Sequence, residues 1–201
     1  MNPKPAPDPA CDGADADLTT DVLIPCELWI RACDTVAALC CAAADEAIAV
    51  AVADGTSLPG HPLEVAVMLG DDRSVRDLNR RYRHIDKPTN VLSFANLDTT
   101  TTATLPDGAS VLLGDIVVAF ETVDGEARSA GRSLDHHLAH MIVHGVLHLL
   151  GYDHETDPDA VQMETLEVAA LARLGIASPY AEPVARPDAE PVARPDGRER
   201  L

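Results

Sequence analysis

The stretch that most constrains this chain is residues 137–154, His-Leu-Ala-His-Met-Ile-Val-His-Gly-Val-Leu-His-Leu-Leu-Gly-Tyr-Asp-His. Within it His144, His148 and His154 follow the pattern H-x-x-x-H-x-x-G-x-x-H. Residues four apart on a helix share one face, so His144 and His148 can offer two imidazole nitrogens to a single ion. Gly151 can take the left-handed conformation that ends a helix, and such a turn brings His154 back towards the same ion. Three neutral imidazoles with an open fourth position are the ligand set of a catalytic zinc site rather than a closed structural one. A lone histidine on a helix as apolar as this one (Leu138, Met141, Ile142, Leu149) is ordinarily a core residue. Three at this spacing, with glycine in the right place, are hard to reach by accident. His136 and His140 extend the stripe backwards and are read as outer or core residues, because three ligands already complete the set.

The spacing matches that of the metzincin proteases, H-E-x-x-H-x-x-G-x-x-H, in which the glutamate after the first histidine is the general base. Here that position is Gly145. Glycine cannot accept a proton from water, so the metal site survives this comparison and the peptidase does not.

With 201 residues the chain supports one domain with a real core and some spare length. No uninterrupted apolar run is long enough to span a bilayer, and residues 1–17 lack both a signal core and an Arg-rich amphipathic pattern. A cytoplasmic protein with no membrane partner is expected. The 5 cysteines include no C-x-x-C pair and are expected as reduced thiols, with Cys40 and Cys41 as small core residues. A net charge of −18 argues against nonspecific binding of polyanions, and no DNA partner is expected. A local basic site remains open, because Arg73, Arg76, Arg80, Arg81, Arg83 and Lys87 crowd into one short window. Most of these read as a solvated helix face.

The chain interleaves strands and helices. Residues 1–17, rich in Pro, Asp and Ala, are expected to be a disordered extension. Strands are predicted at 18–24, 63–69, 90–94 and 111–120, and helices at 32–53, 74–82 and 121–130. Residues 98–108 are predicted as a loop. Ser133 can cap the helix that carries the first two ligands. Asp157, followed by Pro158, is expected to cap a last helix to about residue 174. From residue 181 the octapeptide Ala-Glu-Pro-Val-Ala-Arg-Pro-Asp occurs twice in succession, so residues 179–201 read as a low-complexity tail. The sum is an α+β domain over 18–178, a small mixed sheet packed against helices.

A metal centre of this kind needs a substrate held beside it, and residues 82–94 supply the best clamp. Arg83 offers a planar fork of donors to a phosphate and stays charged at any working pH. This stretch, Y-R-x-x-D-K-P-T-N-V-L-S-F, together with L-G-D-I-V at 113–117 and H-G-x-L-H-L-x-G-Y-D-H at 144–154, closely resembles the YbeY family of bacterial endoribonucleases. The match covers about residues 20–180, with three motifs in the right order. One departure is Ala95, where the family usually has proline after Ser-Phe. The resemblance implies His144, His148 and His154 as metal ligands, His144 and Arg83 as catalytic residues, and Arg83 with Lys87 against the substrate. It implies a metal-dependent endoribonuclease acting on single-stranded rRNA, in 16S rRNA 3′-end processing and ribosome quality control. The implied partners are the ribosomal small subunit and assembly factors. One Zn²⁺ per chain is the expected cofactor, although three histidines also accept Ni²⁺ or Co²⁺.

Two other readings stay open on the residues alone: a non-catalytic, metal-containing ribosome-assembly factor, and a hydrolase of another substrate. No carboxylate beside the first ligand supplies a general base. Asp153 suits a turn or outer role, and Asp115, in an apolar strand, suits a buried structural carboxylate.

Overall fold

The computed structural model describes residues 17–96, 106 and 108–181. The expected N-terminal extension up to residue 16, most of the 98–108 loop and the tail beyond residue 181 lie outside the described residues.

Among the described residues, four strands form one mixed sheet. They are β1 (Leu18–Leu23), β2 (Leu63–Gly70), β3 (Val91–Ala95) and β4 (Val111–Ala119), in the order β1-β2-β4-β3. β2 runs parallel to β1 and β4, and β3 pairs antiparallel with β4 at one edge. Strand β2 shows why the sheet has two faces: Leu63, Val65, Val67 and Leu69 alternate inward with period two. That face is covered by α2 (Val36–Ala53) and α5 (Leu134–Leu149), and α6 (Asp157–Arg173) packs behind them. The opposite face carries α3 (Asp72–Arg83), where Val75 meets Leu92, Val117 and Ala119 in a second, smaller core. The expected α+β domain is therefore observed.

Small side chains set the spacing of the main core. Ala43, Ala44, Ala47 and Ala51 of α2 are fully buried, which lets neighbouring elements approach closely. By length and mean hydropathy, 18 residues at 2.0, α2 meets the criteria for a membrane span, against the expectation that no run is long enough. Half of it is buried within the domain, as in a core helix. Cys40 and Cys41 are both buried core residues, as expected. Reduced thiols are found at Cys26, Cys33 and Cys40, but Cys41 is disulfide-bonded.

Strand β4 holds the main irregularity. The register passes from Leu112 opposite Glu64 to Gly114 opposite Val65, leaving Leu113 as an extra residue. Gly114 sits at φ +149°, and a Cβ there would lie 2.2 Å from the Phe94 carbonyl oxygen. The L-G-D-I-V motif thus encodes a bulge. The bulge reverses the facing of the residues beyond it: Asp115 is exposed, not the buried structural carboxylate expected of an apolar strand.

Local signals set where the helices begin and end. α1 (Glu27–Ala32), not anticipated, buries Trp29, whose Nε1 donates to the Gly70 carbonyl at 3.0 Å. α3 starts two residues earlier than predicted because Asp71 caps it, accepting from Ser74 N at 2.8 Å. α4 (Phe120–Ser129) succeeds β4 directly. α6 is capped by Thr156 rather than Asp157, which moves Pro158 one position inward.

Candidate metal centre

Ser133 caps α5 as expected, its hydroxyl accepting from His136 N at 3.2 Å. One turn apart on this helix, His144 and His148 bring their Nε2 atoms within 3.0 Å, with the rings nearly perpendicular at 87°. The helix then ends in a Schellman motif: Tyr152 N donates to Leu147 O and Gly151 N to His148 O, each at 3.0 Å. Gly151 takes φ +90°, the left-handed turn its position in the motif demands. The turn returns His154 to the pair, its ring centroid 5.6 Å from that of His144 and 5.1 Å from that of His148. One nitrogen from each of the three rings falls within 4.8 Å of the others. His154 is exposed and the other two are half-buried, so the cluster opens to solvent on the His154 side.

The cluster fits a divalent ion. Two nitrogens bonded at about 2.0–2.1 Å to one tetrahedral Zn²⁺ stand roughly 3.3 Å apart, close to the His144–His148 separation. The Tyr152 carbonyl can only accept, so the 3.0 Å contact with His148 places that ring's proton on Nδ1 and its lone pair on Nε2, within the cluster. Burial, helped by the neighbouring His144, lowers the His148 pKa below 6.5 and favours the neutral ring that a metal requires. The turn itself is anchored: the Tyr152 hydroxyl lies 2.7 Å from that of Thr56 and donates to Asp54 at 3.1 Å, at the end of α2.

A carboxylate that the sequence pattern did not single out stands behind the cluster. Glu167 of α6 is 1% exposed, its Oε1 2.7 Å from His144 Nδ1 and its Oε2 3.0 Å from His140 Nε2. The Tyr180 hydroxyl donates to the same carboxylate. Burial alone would push the Glu167 carboxyl up, but hydrogen bonds with His140, His144 and Tyr180 outweigh it and bring it to about 2. A signal was present in the sequence. Glu167 falls among Met163, Leu166, Ala170 and Leu171, all buried, so it interrupts the apolar stripe of its helix.

The remaining candidates divide. His140 is an outer residue, as expected, held by Glu167, whereas His136 is exposed. Asp153 serves the turn, its Oδ1 accepting from His154 N at 2.7 Å. Gly145 is buried, and a Cβ there would meet two carbons of Ile116 at 3.0 Å and Ser93 Oγ at 3.1 Å. The position after the first ligand therefore faces the sheet, and a glutamate there would have to push Ile116 and Ser93 aside.

Arg83 ends α3, and His84 comes next in the left-handed conformation at φ 61°. The rest of the motif builds the loop between α3 and β3. Asn79 donates to the Lys87 carbonyl at 2.7 Å, Arg76 grips Asp86 through two bonds of 2.8 and 2.9 Å, and Asn90 Oδ1 accepts from Val91 N at 2.8 Å. Arg83 and Lys87 are both exposed, and neither has an ion pair among the described residues. No hydrogen bond joins them to the three histidines among the described residues. The loop is tied to the metal helix through β3, which packs on α5 where Ser93 faces Gly145.

The family model "Endoribonuclease YbeY" matches residues 39–175. An Endoribonuclease YbeY of Paramagnetospirillum magneticum is 48% identical over 159 residues, covering 79% of this chain and 93% of its own. One from Rhodopseudomonas palustris is 44% identical over 190 residues, covering 89% of this chain and 95% of its own. One from Bradyrhizobium diazoefficiens is 47% identical over 171 residues, covering 81% and 85%. A solution structure from Thermotoga maritima aligns with 78% of this chain and 91% of its own at a TM-score of 0.49 and 19% identity. With the histidine cluster in place and relatives matched over most of their length, this chain belongs to the YbeY family of metal-dependent endoribonucleases.

Proposed function

We propose that this endoribonuclease cuts single-stranded rRNA at the His144–His148–His154 centre, with Zn²⁺ as the resident ion. The reading places it in the cytoplasm, at 16S rRNA 3′-end maturation and ribosome quality control, with the small subunit and assembly factors as partners. The observation that carries it is the convergence of three imidazole nitrogens on one point at the mouth of a half-buried site. Ni²⁺ suits the same donors, and availability decides between them.

Bound there, a divalent ion supplies Lewis-acid stabilisation of charge on a phosphoryl oxygen. His144, His148 and His154 would hold it, with His154 on the exposed side of the cluster. Arg83 offers its guanidinium to a phosphate and stabilises the charge that develops during cleavage. Lys87 holds the strand as a point charge four residues on. Both cations are exposed and without an ion pair among the described residues, in a loop shaped by the Asn79–Lys87, Arg76–Asp86 and Asn90–Val91 bonds, which supports a role towards substrate. Beside them Tyr82 is exposed, with Phe94 at 5.2 Å and the Arg81 guanidinium at 5.4 Å from its ring. An aromatic group among cations suits unpaired bases and a phosphate backbone.

The test is cleavage of a single-stranded rRNA fragment and its duplex by the wild type and by folded Arg83→Ala and His148→Ala proteins. The single strand is cut by the wild type, the duplex is spared, and each variant loses about 10²-fold or more in rate, the loss seen when a transition-state donor is removed. Equal cleavage by all three overturns the reading. RNA binding without cleavage by metal-loaded wild type points instead to an assembly factor. The product ends separate the routes, since 2′,3′-cyclic phosphates exclude direct hydrolysis as the sole path.

A further inference from the structure

Three donors converge on the two oxygens of Glu167, and all come from outside its own turn of helix. His144 Nδ1 lies 2.7 Å from Oε1, His140 Nε2 lies 3.0 Å from Oε2, and the Tyr180 hydroxyl donates to Oε2. A carboxylate receiving a tyrosine hydroxyl has only acceptor sites to offer the two rings. His144 therefore carries a proton on Nδ1, facing Glu167, and Nε2, 3.0 Å from His148 Nε2, is the atom turned towards the other ligands. Tyr180 reaches this point because the chain folds back after α6. Arg132 donates to the Pro179 carbonyl, and the Tyr180 ring stands edge-on to His140 with centroids 5.9 Å apart. A carboxylate meant only to satisfy His140 would need neither the contact with a ligand nor the tyrosine.

We propose that Glu167 and Tyr180 are positioning residues of the metal centre. Glu167 presets His144, before any ion arrives, in the tautomer and ring pose that aim Nε2 at the other two ligands. Tyr180, brought in by the segment after α6, holds Glu167 in that pose. The inference rests on the metal reading proposed above and adds that the site is organised in the apo protein by a residue beyond α6. Partners of this kind behind a ligating histidine are typically worth about 10–100-fold in metal affinity.

The experiment uses the full chain freed of metal by a chelator. Long-range ¹H–¹⁵N spectra of the imidazoles read the tautomers of His144 and His148 in the wild type, Glu167→Gln and Tyr180→Phe. Competition with a chromophoric chelator reads the Zn²⁺ affinity of each. The wild type shows Nδ1–H on His144; Tyr180→Phe weakens Zn²⁺ by roughly 10-fold and Glu167→Gln by at least as much, with the His148 tautomer and the far-UV spectrum unchanged. An Nε2–H tautomer at His144 in the wild type overturns the proposal, as does Zn²⁺ affinity in both variants within about two-fold of wild type. If Glu167→Gln fails to fold, Tyr180→Phe decides. A wild type that binds no Zn²⁺ refutes the metal reading, and the His144 tautomer still decides whether Glu167 presets the ring.

Discussion

Replacing Gly145 with glutamate would restore the residue that metzincin proteases carry after their first ligand, and the fold around α5 sets the cost. A Cβ at this position already stands 3.0 Å from two carbons of Ile116 and 3.1 Å from Ser93 Oγ. Overpacking of this kind costs about 1–3 kcal/mol. The rest of the side chain would place a carboxylate between helix and sheet, where an unpaired charge costs several kcal/mol more, relieved in part by protonation. Exchanging glycine for a good helix former returns up to about 1 kcal/mol. The net loss is roughly 3–6 kcal/mol, set against a total stability of about 5–15 kcal/mol for a domain of this kind. Urea unfolding followed by far-UV circular dichroism measures it, with the midpoint falling and the slope preserved. The variant gains no peptide cleavage, because the added carboxyl points away from the histidine cluster. A Gly145→Glu protein within about 1 kcal/mol of wild type would refute the packing argument, given the cavity-free contact it assumes. Metal-dependent peptide cleavage by it would refute the claim about direction.

Two further predictions concern backbone and cap. Gly114→Ala meets the Phe94 carbonyl oxygen at 2.2 Å and Leu149 at 2.8 Å, at φ +149°; strain and overpacking together destabilise it by about 2–5 kcal/mol, measured in the same unfolding assay. Asp71→Ala removes the α3 cap and costs about 1 kcal/mol at neutral pH. The hydrogen bonds from Ser74 hold the Asp71 carboxyl below its ordinary 3.8, so its contribution is complete above that pH and is lost as pH falls through the lower folded value. The gap between wild type and Asp71→Ala therefore closes on acidification below 3.8, and a gap that widens there would contradict the assignment.

The residues alone reveal whatever local geometry decides. His144 and His148 come from the helical repeat, and His154 comes from Gly151, because a left-handed glycine at a helix end has few alternatives. Ser133 was legible as a cap for the same reason. Asp115 was not, because the facing of a strand residue depends on parity, and the extra residue at Leu113 reverses it. The bulge becomes visible only when β4 is laid against β2. Glu167 lies 23 residues from the ligand it holds and on another helix, so its partners depend on how α5 and α6 pack. Its place within a buried stripe was a usable sign, since an isolated carboxylate there requires donors. Thr156 displaced Asp157 as a cap by one position, the scale on which helix ends are routinely uncertain.

The most direct test of the central claim is metal titration of the apo protein, monitoring cleavage of single-stranded rRNA as Zn²⁺ is added back after chelation. No cleavage is expected without metal, and the rise levels off at about one ion per chain, the stoichiometry of a single three-histidine centre. His154→Ala should abolish that rise while leaving the protein folded. Cleavage that survives chelation, or that is restored equally in the His154→Ala protein, would contradict it.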